Sequence, residues 1–431
     1  MSNGHNAIWG ADENEAMASL VAQRRVRLAV VVWAVLVSQV LLYPGLEGLV
    51  AALGAPGDLT AGMWFLLAEF AAFIAFALVW GAASDALGRR TPLVVTGALG
   101  GAASYLLVTV LPFLGVGFQG VLGVRVLGGA FTIGAFSLAI TMLMDLGGGN
   151  GRNMGAAGIA IGLGAALGSV VGGQLSTIDP LAPLYASGLL LVVAAGVVAT
   201  VPDDHRDRGG TVDAETEPAA PVSQRSVAAV LATLQATPTL GVPYAFGFVD
   251  RLTAGFFSLV GVFYFGDVFG LDAAGIGVAL ALFFVPFALL QYPLGSLSDR
   301  IGRFVPIVGG SIGYGVAIIA VGLATRVEIA MGLMVLVGVA GAFVAPATMA
   351  LVTDLVEPSE HGVAMAGFNV FGSLGFLSGF LIGGIVGSAT DYLTAFFVVG
   401  GLEIAIALIA LPAVRRLSSQ HASLGNQSAG N

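Results

Sequence analysis

Two short loops in this chain carry the same charged pattern, in which glycine, aspartate, glycine and arginine recur at fixed spacing. The first is Gly81-Ala-Ala-Ser-Asp85-Ala-Leu-Gly88-Arg89, and the second is Gly295-Ser-Leu-Ser-Asp299-Arg-Ile-Gly302-Arg303. The glycines permit a tight turn, and a carboxylate is attracted to the partial positive charge at a helix N-terminus. The pattern therefore predicts a pair of latches, each of which docks an aspartate against the start of a distant helix.

Six further charged residues lie within long apolar stretches, where an unpaired charge is costly. They are Glu47, Glu69 and Arg125 in the first half of the chain, and Asp250, Arg251 and Glu403 in the second. The first three are expected to form one charged cluster. Asp250 and Arg251 are neighbours that point about 100° apart on a helix, so one is expected to face a cavity and the other a neighbouring helix. Buried carboxylates are typical of proton relays, which predicts proton coupling or substrate contact, with structural ion pairing as the alternative.

The composition shows what kind of elements must position these residues. The chain of 431 residues is 57% hydrophobic and only 10% charged, whereas a soluble domain has about 25% charged residues. The sequence therefore predicts an integral membrane protein. Apolar runs of the length that spans a bilayer lie at 28–53, 61–83, 91–113, 119–143, 154–175 and 181–201, and again at 240–266, 273–296, 304–325, 328–352, 362–387 and 393–413.

The spacing of charges divides the chain into five regions. They are an N-terminal tail at 1–23, a six-helix bundle at 24–201, a linker at 202–238, a second six-helix bundle at 239–416 and a C-terminal tail at 417–431. The linker is rich in acidic residues and proline, with a short helix expected over 227–235. Nearly all loop arginines lie on one side if both termini are cytoplasmic, as the positive-inside rule requires. We therefore expect a multi-pass protein of the cytoplasmic membrane.

The two halves repeat each other beyond the paired loops. Asp145 ends the fourth apolar run and precedes Arg152 by seven residues, and Asp354 ends the tenth run and precedes His361 by the same spacing. Duplicated patterns of this kind indicate internal structural repeats. The predicted fold class is an all-α membrane protein with twelve transmembrane helices in two pseudo-symmetric six-helix bundles.

The repeat also predicts where the latches close. Asp85 is expected near the start of the eleventh span, and Asp299 near the start of the fifth. Arg89 and Arg303 are expected to form ion pairs with Asp145 and Asp354, respectively. The alternative is that these loops only anchor the chain at the membrane surface through their positive charge.

The pattern G-x-x-x-D-x-x-G-R of both loops resembles the signature loop of the major facilitator superfamily of transporters. The fifth span contains Gly155, Gly164, Gly168, Ser169, Gly172 and Gly173. It resembles the fifth-helix motif of the proton-coupled drug antiporters of that superfamily, which usually have proline where this chain has Ser169. The segment Arg125-Val-Leu-Gly-Gly129 resembles their R-x-x-x-G element. The resemblance covers about residues 24–416 and implies a central cavity between two bundles that rock about it.

Glycines on one face of the fifth span let another helix approach closely. Such a seam can bend or slide as the halves move, and simple helix packing is the alternative.

These observations predict a secondary transporter that exports a small amphipathic or drug-like molecule in exchange for protons, as a monomer in the lipid bilayer. Two alternatives stay open. One is a proton- or sodium-coupled importer of a sugar, organic acid or other metabolite, and the other is a non-transporting receptor or sensor built on a transporter fold. Chance matches to G-x-S-x-G at 309–313 and to G-x-G-x-x-G at 115–120 lack the required strand context. We expect no enzyme activity, cofactor, metal site or nucleic-acid binding.

Overall fold

The computed structural model describes residues 5–146, 150–203 and 226–428, and the regular structure in these residues is entirely helical. The first half contains α1 (His5–Val40), α2 (Leu46–Ala52), α3 (Leu59–Leu87), α4 (Thr91–Val110), α5 (Phe118–Met144), α6 (Asn150–Ile178) and α7 (Ala182–Ala199). Helix α8 (Ser226–Ala236) lies in the predicted linker. The second half contains α9 (Gly241–Phe256), α10 (Val262–Phe269), α11 (Ala273–Ile301), α12 (Gly310–Gly322), α13 (Val327–Asp354), α14 (His361–Ala389) and α15 (Tyr392–Ser428).

Eleven helical segments among the described residues are long and apolar enough to cross a membrane. They are α3 to α7, the joined pair α9 and α10, and α11 to α15. A twelfth apolar stretch in α1 runs from Leu28 to Val40, directly after Arg24, Arg25 and Arg27. The predicted first span, 28–53, is broken between α1 and α2, where Pro44 and Gly45 interrupt the helix.

The ends of several helices follow from single residues. Asp58 and Asp272 precede α3 and α11, and each side chain accepts a hydrogen bond of 2.8 Å from a backbone N–H in the first turn. At the other ends of the same helices, Gly88 and Gly302 have φ angles of 58° and 85°. These are conformations that glycine adopts without strain. The signature glycines therefore terminate α3 and α11 and turn the chain into the next span.

Helix packing repeats between the halves, as the duplication predicts. In the first half α3 and α4 pack on α5, α4 packs on α7, and α6 packs on α1. In the second half α11 and α12 pack on α13, α12 packs on α15, and α14 packs on α9. The second set is the first set moved by six spans. The two bundles therefore have the same internal arrangement.

The most extensive contacts between the halves are made by two helix pairs, α6 with α11 and α3 with α14. We call the membrane side of loops 88–90 and 302–304 the motif side, and the opposite side the far side. Near the far side, Gly173 lies against the backbone of Ala273, and Gly384 lies against Met63. Deeper in the bundle, the rings of Phe70 and Phe376 stack with centroids 4.7 Å apart. These contacts close the structure at the far side.

The contact of α14 with α9 gives a first prediction. A methyl group at Gly375 would overlap the carbonyl oxygen of Phe248, whereas one at Gly313 would meet nothing within 4 Å. We expect Gly375→Ala to destabilise the protein by about 1–3 kcal/mol through overpacking. Gly313→Ala should be neutral or stabilising by up to about 1 kcal/mol, because alanine favours helix. Melting temperatures in detergent test this, and equal melting of the two variants would contradict it.

Candidate functional site

A buried ion pair lies in the first bundle, between α3 and α5. Arg125 donates a hydrogen bond to Glu69 Oε2, and the Tyr105 hydroxyl donates to Glu69 Oε1 at 2.8 Å. Both charged residues are buried, with Arg125 only 1% exposed. The guanidinium also lies 4.3 Å from the centre of the Phe65 ring. Glu69 therefore has a counter-charge, a hydroxyl donor and a closed environment.

The R-x-x-x-G element explains how this pair forms. Gly129 lies one turn from Arg125 on α5, and a side chain there would overlap the backbone oxygen of Glu69. The absence of a side chain lets α5 approach α3 at the level at which Arg125 reaches the carboxylate. The arginine and glycine of the element thus act on the same partner.

Glu47 does not join this cluster, so the prediction of three charges together is wrong in that respect. Because Pro44 and Gly45 break the first span, Glu47 lies on the short helix α2 with its side chain exposed. It faces Gly266 of the second half near the far side.

The second bundle contains two buried carboxylates that form no ion pair with any described residue. Asp250 of α9 is 5% exposed and Glu403 of α15 is fully buried. A charge on Asp250 would repel one on Glu403, and the hydroxyl of Tyr314 lies within reach of both carboxylates. In the described residues, the Oδ1 atom of Asp250, both carboxylate oxygens of Glu403 and the hydroxyls of Ser311 and Tyr314 have no hydrogen-bond partner. We call these four residues the acidic cluster.

Glycine again brings the helices together at this point. A β-carbon at Gly315 of α12 would lie 3.2 Å from the β-carbon of Glu403. Ser311, one turn earlier on α12, lies beside the Glu403 carboxylate. The close approach of α12 and α15 therefore seals the acidic cluster inside the bundle.

Arg251 follows Asp250 in the chain but points elsewhere. Its side chain lies beside Gly372 of α14 and is partly exposed. Its charge acts on Asp250, but within the described part of the chain it forms no ion pair or hydrogen bond. Helix α9 packs on α13, α14 and α15 of its own bundle. The two neighbours therefore diverge, as the helix geometry predicts.

The signature loop of the second half is tied together by Arg303. This side chain donates hydrogen bonds to Asp299 at 2.5 Å, to Ser298 at 3.1 Å and to Asp354 at 3.2 Å. It joins the end of α11 to the end of α13. The predicted pairing of Arg303 with Asp354 is present.

In the first loop the arginine that pairs with the aspartate lies one residue later than the repeat predicts. Arg90, and not Arg89, forms the ion pair with Asp145. Arg90 is buried, and Arg89 is exposed. The expectation that Arg89 pairs with Asp145 is therefore wrong, and the adjacent arginine takes its place at the start of α4.

Asp203 has a role that the sequence patterns did not indicate. The charge spacing puts Asp203 in the linker, but its carboxylate accepts hydrogen bonds from the backbone N–H groups of Arg90 and Thr91, at 2.8 and 3.1 Å. It thus caps α4 from the end of α7. Its position directly after an apolar run, before the acidic stretch, was the available signal.

The two latch aspartates are exposed in this structure. Asp299 is held by Arg303, and Asp85 forms no hydrogen bond or ion pair within the described ranges. The latches are thus not engaged while the far side is closed. Their docking on the starts of α14 and α6 stays a prediction for another arrangement of the halves.

The small residues of α6 serve two different neighbours. Gly164, Gly168 and Gly172 lie against α1 of the same bundle, and a side chain at Gly172 would overlap the backbone of Leu41. Gly173 and the backbone of Ser169 instead lie against α11 of the other half. Gly155 belongs to α6, but its contacts are not among those that the structure describes. The predicted glycine seam is therefore part internal packing and part contact between halves.

The sequence profile of the Major Facilitator Superfamily matches residues 28–263 and 244–429 of the chain. The chain is 28% identical to the class G tetracycline resistance protein of Vibrio anguillarum over 372 residues, which cover 84% of this chain and 89% of that one. It is 27% identical to the class C tetracycline resistance protein of Escherichia coli, with 87% and 92% covered. The crystal structure of a bacterial homologue of the human lysosomal transporter Spinster superposes with a TM-score of 0.68 at 15% identity, with 93% and 96% covered.

The ion pair of Glu69 and Arg125 gives a second prediction. Glu69→Gln leaves a buried guanidinium without a counter-charge, which should cost about 3–5 kcal/mol. Replacing both partners, as Glu69→Gln with Arg125→Met, should restore part of this stability. Glu328→Gln is the control, because its pair with Arg326 is exposed and contributes about 0–1 kcal/mol. If Glu69→Gln melts like the control, the pair has no stabilising role.

Proposed function

Since the chain belongs to the Major Facilitator Superfamily, we propose that it exports a small amphipathic molecule in exchange for protons by alternating access. The family consists of membrane transporters and not of enzymes. The full-length similarity to tetracycline resistance proteins supports export of a drug-like molecule. In this proposal the motif side and both chain termini face the cytoplasm. The functional unit is a monomer in the bilayer.

The acidic cluster is the observation that carries proton coupling. An ionised carboxylate in a dry interior needs a counter-charge and hydrogen bonds, or it takes up a proton instead. Glu69 has both through Arg125 and Tyr105. Among the described residues, Asp250 and Glu403 have no ion pair, and three of their four oxygens have no hydrogen-bond donor. We therefore assign proton exchange to the second bundle, and a structural role to the pair in the first.

The position of Asp250 connects proton exchange with movement. Asp250 lies on α9, which packs along the glycine row of α14 through close backbone contacts at Gly375 and Gly379. Helix α14 in turn touches α3 of the other half. A change in the charge of Asp250 thus acts on the helix pair that joins the bundles. A wider turn of five residues, 257–261, follows α9 and provides a place where the span can adjust.

Arg251 favours a second candidate function. An arginine within a span, partly exposed and without a partner, is expected to bind an anionic group of a ligand. Neutralising Arg251 with a bound anion would favour protonation of the adjacent Asp250. Substrate and proton would then bind together, which is the behaviour of a proton-coupled importer of an organic acid.

Proton movement during transport distinguishes the two functions. Tetracycline and a small panel of organic acids are first screened by thermal shift at two pH values. A stabilising compound is then added to proteoliposomes that contain a pH-sensitive dye. Export by antiport predicts that protons and substrate move in opposite directions. Movement in the same direction would replace the antiport proposal with import.

Removal of the titrating groups gives a third prediction. Asp250→Asn and Glu403→Gln should each lower transport driven by a pH gradient at least about tenfold, because an amide does not exchange a proton in this way. Substrate counterflow, which needs no net proton movement, should continue. The control is Glu357→Gln, an exposed carboxylate on the motif side. Normal proton-driven transport by both cluster variants would refute the assignment.

The latch gives a fourth prediction. Asp85→Asn removes the charge that is proposed to dock on the start of α14 when the motif side closes. We expect transport to fall several-fold while membrane insertion and melting temperature stay at wild-type values. Glu357→Gln again provides the matched control. A correctly inserted Asp85→Asn protein with normal transport would eliminate the latch.

A further inference from the structure

Four phenylalanine rings form a row that crosses the seam between the halves. The ring of Phe136 on α5 lies 5.7 Å from that of Phe73 on α3, and Phe73 stacks on Phe70 at 5.5 Å. Phe70 in turn stacks on Phe376 of α14 at 4.7 Å, all three distances joining ring centroids. All four rings are partly exposed, and we call them the phenylalanine row. Their remaining exposure leaves aromatic surface for a ligand to contact.

The two halves separate on the motif side of this row. Toward the far side they stay in contact beyond Phe376, because side chains at Gly384 and Gly387 of α14 would overlap residues of α3. Toward the motif side, Asn369 lies two turns before Phe376 on α14 and only about 20° around the helix from it. Asn369 is nevertheless exposed and forms no hydrogen bond with a described residue. The same side of α14 therefore meets the first half at Phe376 and is accessible at Asn369.

Arg251 brings a positive charge to the same place. Its Cγ and Cζ atoms lie 3.1 and 3.7 Å from the position that a β-carbon of Gly372 would occupy. Gly372 is one turn before Phe376 on α14, which is about 6 Å along the helix and about 40° around it. Arg251 is partly exposed and forms no ion pair or hydrogen bond with a described residue. A guanidinium within a span is costly without a counter-charge, so an anion bound at this position offsets that cost.

We propose that the phenylalanine row, Arg251 and Asn369 form a binding site for an aromatic carboxylate. The rings contact its aromatic face, the guanidinium binds its carboxylate through two parallel hydrogen bonds, and the Asn369 amide adds another. A mainly apolar surface with a few polar groups is typical of small-molecule sites. The site rests on the proposed transport function for the role of its ligand as a substrate, but it does not depend on the direction of transport.

Equilibrium binding to the purified full chain in lipid nanodiscs tests this site without transport. The probes are benzoate and 2-naphthoate, with 2-naphthamide as the uncharged analogue and cyclohexanecarboxylate as the non-aromatic one, each measured by calorimetry at neutral pH. Arg251→Gln removes the cation, and Phe73→Leu removes a ring whose stacking partners both belong to the first half. The matched controls are Arg326→Gln and Phe113→Leu, because both side chains are exposed near the far side.

We expect 2-naphthoate to bind the parent at least about tenfold more tightly than 2-naphthamide, and several-fold more tightly than cyclohexanecarboxylate. Arg251→Gln should weaken 2-naphthoate binding at least about tenfold and Phe73→Leu several-fold, while both controls bind it like the parent. Three results would overturn the proposal: no binding of either aromatic acid, equal binding of 2-naphthoate and either analogue, or parent-like binding by both site variants.

Transport assays separate this site from the proposed function. Binding of 2-naphthoate with no transport of it or of any other compound in proteoliposomes would contradict the proposed function and leave the site intact. Transport of another compound by a protein that binds neither aromatic acid would overturn the site and leave the proposed function intact.

Discussion

The cost of a charge within the bilayer is the constraint on which the rest of this structure depends. In the first bundle a counter-charge offsets this cost, because Arg125 and Glu69 form an ion pair beside Tyr105. In the second bundle Asp250 and Glu403 form no ion pair with any described residue, and we propose that bound protons set their charge instead. Two bundles with the same helix packing thus handle buried charge differently. In the proposed function, this asymmetry leaves proton exchange to the second bundle.

Glycine determines where the helices are close enough for these interactions. Gly129 brings α5 against the backbone of Glu69, and Gly315 brings α12 against Glu403. The glycine rows of α6 and α14 pack on α1 and α9, at equivalent places in the two bundles. Adjacent positions on the same helices touch the opposite half. Residues that create a charged site and residues that allow the bundles to move therefore lie on shared helices, which is how a change of charge can become a change of shape.

The sequence predicted the features that depend on residue spacing. It failed where contacts between distant helices determine the partner of a charged side chain. Two sets of apolar runs with matching loops were sufficient to predict the pseudo-symmetric fold. The pairing of Arg303 with Asp354 followed from the same repeat. The repeat predicted the wrong arginine in the first half, because the side chain of Arg90, and not that of Arg89, reaches Asp145. It failed at Glu47, because Pro44 and Gly45 end the helix early. Tyr105 and Ser311 come from other helices, and no local pattern marks an uncharged hydroxyl that lies beside a buried carboxylate.

The central claim is that Asp250 and Glu403 hold protons inside the second bundle. Infrared difference spectroscopy of the protein in lipid tests it directly, because a protonated carboxyl group in a dry site has a carbonyl band that an ionised one lacks. A pH titration should show such a band in the parent protein, and the band should disappear in the variant that combines Asp250→Asn with Glu403→Gln. The same spectrum in both proteins would contradict the account.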